Sequence, residues 1–581
     1  MRSSLLIVLL LAAVGVGLGL RSWLQAADGD PAAARLPGHG DRGAAAVERQ
    51  PAVAASRVPQ GHVYTGVAEQ PEDVNPFTAH SLIAQRVLSQ THDALLDSDP
   101  ITGELRPALA ESWQPAADGA SCTFLLRQGV QFADGAPLTM DDVLFSWQVA
   151  RAAAMPLGFV GAAFDRIAGV DVLDERRLRV HFADVDYAAV QAVGENWIVV
   201  ERRWFLDRVA ELARLAGAAV PEVGTAEFAL LLGQIDKECG PGTGPYVLQN
   251  RPNGPSTWSP GQELTLERNE HCWRRVAMPG CWNFAGIRYL FRSSPAALDA
   301  LLRGDLDWYS SPGIDDVLTT RPELATAYRR VEYDYRQLGV FEIAWNCTRP
   351  PLDDARVRRA LGLLLDPQRV LEVFGGHGVP ARAFAKPGSP EYPRDVEALP
   401  HDLARARSEL RAAGFGTEHG RPLRIVLLAP EGPDPIRRTL DLFADAARQA
   451  GIDLDVRVRE WSAFVAEKKQ DQWDGLFVMQ GFRPWGDPYD FVHGDGADNA
   501  GHWRHPDADR LAAAARRELD PGRRTALLRE LHALVYREQP VLFLLHPRVT
   551  LLLNRHVEGA EPGPLGLSLE RAFVAPARQR R

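Results

Sequence analysis

RIVLLAPEGPDPIRRTLDLFADAARQAGIDLDVRVREWSAFVAEKKQDQWDGLFVMQG, residues 424–481, settles the architecture of this chain. Ile425–Leu428 is a short apolar run of strand length. Ile436, Leu440, Phe443 and Ala447 then recur at helical spacing, and Gly451 closes that helix. Ile452–Val458 alternates apolar residues with Asp453, Asp455 and Arg457, the period of a half-buried strand. A short helix around Phe464 leads into a fully apolar strand, Leu476–Met479. Strand–helix–strand–helix–strand predicts parallel strands joined by right-handed crossovers, so the class is α/β. Ligands of such sheets bind outside the carboxyl ends of the strands. Two loops land there, Ala429–Gly432 and the run Gly481-Phe482-Arg483-Pro484-Trp485-Gly486-Asp487-Pro488-Tyr489-Asp490-Phe491. Its cation, carboxylates and aromatic rings make Arg483, Trp485, Asp487 and Tyr489 candidate ligand contacts. The plainer alternative is a packed loop with Trp485 and Phe491 plugged into the core.

Elsewhere from Gly61 onward, helix and strand signals alternate. Cys122, Phe124 and Leu126 alternate with polar residues, and Asp134-Gly135 supplies a turn. A helix is predicted from Thr139, with Asp142 three positions on and Val143, Leu144 and Trp147 inward. Leu178, Val180 and Phe182 share one face of a strand. Ser294-Pro295 opens a helix that Gly304 stops, and Asp354 and Asp366-Pro367 open two more, the second ending at Gly375.

Length implies more than one lobe, since 581 residues exceed what a single core usually serves. A formal charge of −10 argues against nucleic acid as a partner, because displacing counterions from phosphates needs a basic surface. Five cysteines rule out a disulfide-built scaffold. Near the start, an apolar run from Leu5 to Leu20 ends at Arg21. It reads as a membrane anchor or a cleaved export signal over residues 1–25, placing the remainder outside the cytoplasmic membrane. Residues 26–60 are Ala, Pro, Gly and scattered charges without an aromatic residue, hence a flexible linker.

An ordered series of motifs resembles a known family. Leu105 to Trp113 reads LRPALAESW, and Thr123 to Val130 reads TFLLRQGV, followed by Phe132-Ala133-Asp134-Gly135 and by Leu138-Thr139 through Asp142-Val143. Gly242-Thr243-Gly244-Pro245-Tyr246, Glu267-Arg268-Asn269, and Asn346 with Pro350 to Asp354 and Val357-Arg358 complete it. The chain is similar to the extracellular solute-binding proteins of the oligopeptide and dipeptide ABC-importer class, family 5. The resemblance implies a two-lobed periplasmic-binding-protein fold (class II, cluster C-like). Lobe I would comprise 61–98, 235–334 and 549–581, with an extra subdomain at 99–234, and lobe II 335–548. Crossings near Leu338–Phe341 and Leu545–Val549 would act as hinges. A monomer is expected to capture a peptide or other small solute between the lobes, without chemistry or cofactor, and to deliver it to ABC permease subunits. A non-peptide solute (an oligosaccharide or anionic small molecule) and a sensing role stay open as alternatives, and a secreted hydrolase would need paired catalytic groups that the sequence does not offer.

Peptide-binding members hold the ligand's ammonium group with a carboxylate in the loop after the last strand of lobe II. Asp487-Pro488 resembles the family's Asp-Pro pair, whereas Arg483-Pro484 stands where an acid is typical. That departure points Arg483 at an anionic group and leaves Asp487 or Asp490 for an ammonium. Asn346 near a hinge, and Trp197 as a stacking ring, complete the candidate contacts. Cys272 and Cys281, flanking Met278-Pro279-Gly280, are expected to pair, with Cys239 the competing partner. The run His493, Asp495, Asp498, His502, His505, Asp507 and Asp509 matches no zinc or calcium spacing, so no metal is assigned; Asp507 is expected to cap a helix through Leu511 and Ala515.

Overall fold

The computed structural model describes residues 61–579 except 80, 153–160, 162, 250–256, 312–313, 335–338, 416–421, 433 and 482–485. The proposed anchor and linker, Arg483 and Trp485 therefore lie outside the described residues. No described helix is long and apolar enough to cross a membrane.

Contacts divide the described residues into two compact units, one within 311–316 and 332–550, the other within 61–310, 317–331 and 551–579. The first unit is organised by the stretch quoted above. Leu423–Pro430 pairs in parallel with Ile452–Arg459 and with Gly475–Gln480. The crossover helix Asp434–Gln449 buries Ile436, Leu440, Phe443 and Ala447, the stripe that the spacing predicts. Trp461–Lys469 forms the second crossover and buries Phe464. The full six-stranded sheet runs Gly378–Pro380, Val541–Pro547, Val340–Trp345, Gly475–Gln480, Leu423–Pro430, Ile452–Arg459. Every residue of Val340–Trp345 is buried, as expected for a strand with neighbours on both edges and cover on both faces. Backbones come very close where this strand begins. A Cβ on Gly339 would stand 1.3 Å from the Gln480 carbonyl oxygen, so only glycine fits there.

In the second unit, a mixed sheet places Val63–Val67 between Trp308–Tyr309 and Gly286–Leu290. A separate antiparallel sheet runs Ala110–Pro115, Ser121–Leu126, Arg177–Phe182, Ile167–Val172. Cys122, Phe124 and Leu126 face its core together with Leu178 and Val180. Helix Met140–Ala150 starts where Thr139 predicts: the Thr139 backbone N–H and hydroxyl both donate to Asp142 Oδ2, at 2.8 and 2.7 Å. Val143 is buried, and Leu144 and Trp147 are half-buried.

A buried trio ties three distant segments of this unit. His62 Nε2 and His556 Nε2 lie 3.0 and 2.6 Å from the two oxygens of Asp307, and the Thr65 backbone N–H donates to the same carboxylate. These contacts hold the Asp307 carboxyl below its ordinary range. Such a trio could hold a metal ion, but both spacings are those of hydrogen bonds.

Two expectations are corrected here. Cys272 and Cys281 are buried free thiols rather than a bridge. Cys272 stands at the N-cap of helix Trp273–Ala277, and burial pushes its thiol up to about 11. Trp197 offers no ring to a ligand: it is 0% exposed in the core around Phe124, and its Nε1–H donates to the Val143 carbonyl. The helix Pro506–Arg517 also begins differently from the reading above. His505 occupies the N-cap, Asp507 lies in the first turn beside Arg510, and Asp509 accepts from the Gly494 N–H.

Candidate ligand-binding site

Three parallel strands direct their carboxyl ends to one edge of the first unit's sheet, and Gly475–Gln480 continues from that edge into the loop with the candidate contacts. The described part of the loop is strongly organised. Asp487 is 2% exposed; its Oδ1 accepts from the Tyr489 N–H at 3.0 Å and its Oδ2 from Arg516 Nε at 2.7 Å. Arg516 also stands 3.6 Å from Asp490 Oδ1. Its guanidinium carbon lies 3.7 Å from the Tyr489 ring centroid, and the other side of this cluster is a 4.2 Å stack of Tyr489 on His493. An Asp–Arg pair of this kind satisfies both charges within the protein.

Asn346 is likewise engaged. Its Nδ2 donates to Asp471 Oδ1 at 3.1 Å, and its Oδ1 accepts from the Thr348 hydroxyl at 2.7 Å. The side chain pins the turn after Val340–Trp345. Of the six candidate contacts, the structure therefore brings Asp487 and Tyr489 together, keeps Asn346 and Trp197 in structural roles, and leaves Arg483 and Trp485 undescribed.

Sequence reasoning missed two residues. Arg516 belongs to a different element, the helix Pro506–Arg517, and no local pattern links it to Asp487. Glu342 left a visible sign: it is the one charged residue in the apolar run Val340-Phe341-Glu342-Ile343-Ala344-Trp345. It lies 3% exposed beside Val478 and Phe543 of the flanking strands, and its Oε2 has no hydrogen-bond partner among the described residues. Burial drives its carboxyl well above the usual range.

A family model of the bacterial extracellular solute-binding proteins, family 5 (middle region), matches residues 104–502. This chain belongs to that family. Among similar proteins, Protein XP55 of Streptomyces lividans is 28% identical over 502 residues, 83% of each chain. A probable di/tripeptide-binding protein of Pseudomonas aeruginosa is 28% identical over 504 residues, 81% of this chain and 87% of its own. The oligopeptide-binding protein AppA of Bacillus subtilis, solved with a nonapeptide, superposes with a TM-score of 0.71 at 20% identity. That superposition covers 89% of this chain and all of AppA. The fold is thus the two-lobed α/β fold of the solute-binding proteins.

Proposed function

We propose that this family 5 protein is the solute receptor of an ABC importer and that its solute is a peptide or a peptide-like molecule. The observation that carries the reading is the family match across residues 104–502. Binding and release without chemistry is the role consistent with the loop, whose acids are spent on Arg516 instead of being paired for catalysis. The apolar run Leu5–Leu20 supports an extracytoplasmic location, with the run serving as export signal or tether. Uptake follows when the loaded receptor meets its permease.

Native mass spectrometry of the freshly purified full chain, without prior dialysis, tests this reading. A co-purified mass that dissociates on mild activation and fragments as a peptide is the expected result. Protein that arrives empty, and then binds no member of a di- to pentapeptide mixture by calorimetry, would remove the peptide assignment.

A second reading draws on one residue, Arg483, which stands where a carboxylate is typical of peptide-binding members. An anionic group on the solute would pair with its guanidinium. The two readings meet in a zwitterionic solute, whose acidic and basic groups are recognised separately.

A further inference from the structure

The outer edge of the first unit's sheet is only partly covered. Gly378–Pro380 pairs with the Leu545–Pro547 end of Val541–Pro547, and a bond from the Ala381 N–H to the Leu544 carbonyl closes the pairing. Beside the remaining edge lies a cavity of about 310 Å³. Leu365, Val370, Val379, Leu542 and Leu544 give it aliphatic walls. Pro387 and Ala398 also line it and are exposed, which marks its opening to solvent. Every lining residue belongs to the first unit, and none to the loop 481–491. The space is roughly twice the 150 Å³ that admits a benzene ring, within the range of small-molecule sites.

Three polar groups break the apolar lining. Gln539 ends helix Pro521–Glu538 in the left-handed region, at φ 49°, where glycine is the usual residue. Its Nε2 donates to the Tyr536 carbonyl at 2.6 Å. That bond fixes which way the amide points, and leaves Oε1 without a hydrogen-bond partner among the described residues, on a side chain only 1% exposed. A Cβ on Gly362, another lining residue, would come within 3.1 Å of this oxygen, so the glycine keeps it open to the cavity. Tyr536 accepts from the Leu399 N–H at 2.9 Å, and its own hydroxyl proton remains to be donated. Arg382 is half-buried, gives one N–H to the Val396 carbonyl at 2.8 Å, and stands over the Tyr392 ring at 5.7 Å. Its Nε–H and Nη2 groups have no carboxylate partner among the described residues. Burial pushes the Tyr536 phenol up, while the Leu399 N–H and the Arg382 charge draw it back, so phenol and guanidinium share one neighbourhood.

These groups specify a ligand. A cation beside a hydroxyl donor asks for a carboxylate. One lone acceptor among aliphatic walls asks for a body that is apolar except for a single N–H or O–H, as indole and phenol rings are. An alkyl chain would fill the same volume and leave the Gln539 oxygen unpaired. We propose that this cavity is a second small-molecule site, for an aromatic carboxylic acid of about a dozen non-hydrogen atoms with one hydrogen-bond donor on its ring. The carboxylate accepts from Tyr536 and Arg382, the ring lies against the aliphatic walls, and the ring donor meets Gln539 Oε1. The site goes beyond the importer reading and does not depend on it.

Calorimetry on the full chain tests this with indole-3-acetic acid as probe and 1-methylindole-3-acetic acid, tryptamine and decanoic acid as comparisons. We expect the wild type to bind the probe, to bind the N-methyl form at least about 10-fold more weakly because Gln539 Oε1 then stays unpaired, and not to bind tryptamine, whose cation faces Arg382. Arg382→Gln should weaken the probe by at least about 10-fold. Ala398→Trp, a bulky side chain at the exposed mouth, should abolish binding, and thermal melts confirm that both variants fold. Excess trialanine should leave the probe's affinity unchanged. A wild type that does not bind the probe overturns the inference. So does a probe affinity that either variant leaves unchanged, or that trialanine lowers by competition, because the acid then sits elsewhere. Equal binding of the N-methyl form or of decanoic acid overturns the assigned ligand class, with Gln539 Oε1 then served by water.

Discussion

A carboxyl sealed within a sheet couples folding to pH in the direction opposite to an ion-paired surface acid. In the unfolded chain Glu342 titrates near 4.5, whereas in the folded protein burial keeps it protonated to much higher pH. The folded state therefore binds the extra proton, and stability is lost as pH rises above 4.5 through the raised folded value. Glu342→Gln keeps the shape and has nothing to ionise. It should be more stable than the wild type at pH 7.5, with the difference shrinking toward pH 4.5. Urea unfolding of both proteins at the two pH values measures this, and an equal difference at both would show that ionisation is not the cause. His532, which burial holds to about 4, changes stability in the opposite sense over the same range, but it is common to both proteins and drops out of the comparison.

At the scale of elements, Asp142 shows how one side chain joins two helices. It caps Met140–Ala150 through Thr139, and its Oδ1 also accepts from the Arg202 N–H at 2.9 Å, where helix Arg202–Leu215 begins. Asp142→Ala removes the side-chain acceptor at both helix starts, where water can partly replace it, and loss of such a capping group costs about 0.5–2 kcal/mol. Chemical denaturation should therefore report a loss of about 1–2 kcal/mol, and a loss below about 0.5 kcal/mol would mean that water replaces the carboxylate. The first half of this arrangement was legible, because Thr139 and Asp142 stand three residues apart. The second half was not, since Arg202 is sixty positions away. The same division runs through the chain. The three parallel strands, the Ile436–Ala447 stripe and the Cys122–Leu126 alternation follow from local period and are found in the structure, within a sheet whose other pairings are antiparallel. What was not legible depended on three-dimensional neighbours: Trp197 fills a core, and Asp487 holds an arginine from another helix. Glu342 was readable as an anomaly, yet its surroundings come from strands and loops distant in sequence.

For the whole molecule, two units with separate cores make ligand binding a source of stability for whichever unit carries the contacts. Trialanine at one hundred times its dissociation constant should add about 2.7 kcal/mol to the unfolding free energy of wild type. Scanning calorimetry with and without the peptide reads this directly, and superimposable melts would exclude trialanine as a ligand.

The route of the chain has a further consequence for biogenesis. Residues 332–550 form an uninterrupted stretch of one unit, whereas the other unit begins earlier and recovers its last part only from Leu551 onward. Val549–Asn554 then slots beside Trp308–Tyr309, a strand synthesised more than two hundred residues before it. The later-starting unit is therefore complete in sequence before Leu551, while the earlier one keeps an open sheet edge until its last segment arrives. A nascent chain stalled just short of Leu551 would expose that edge, and it is there that a chaperone would find its substrate.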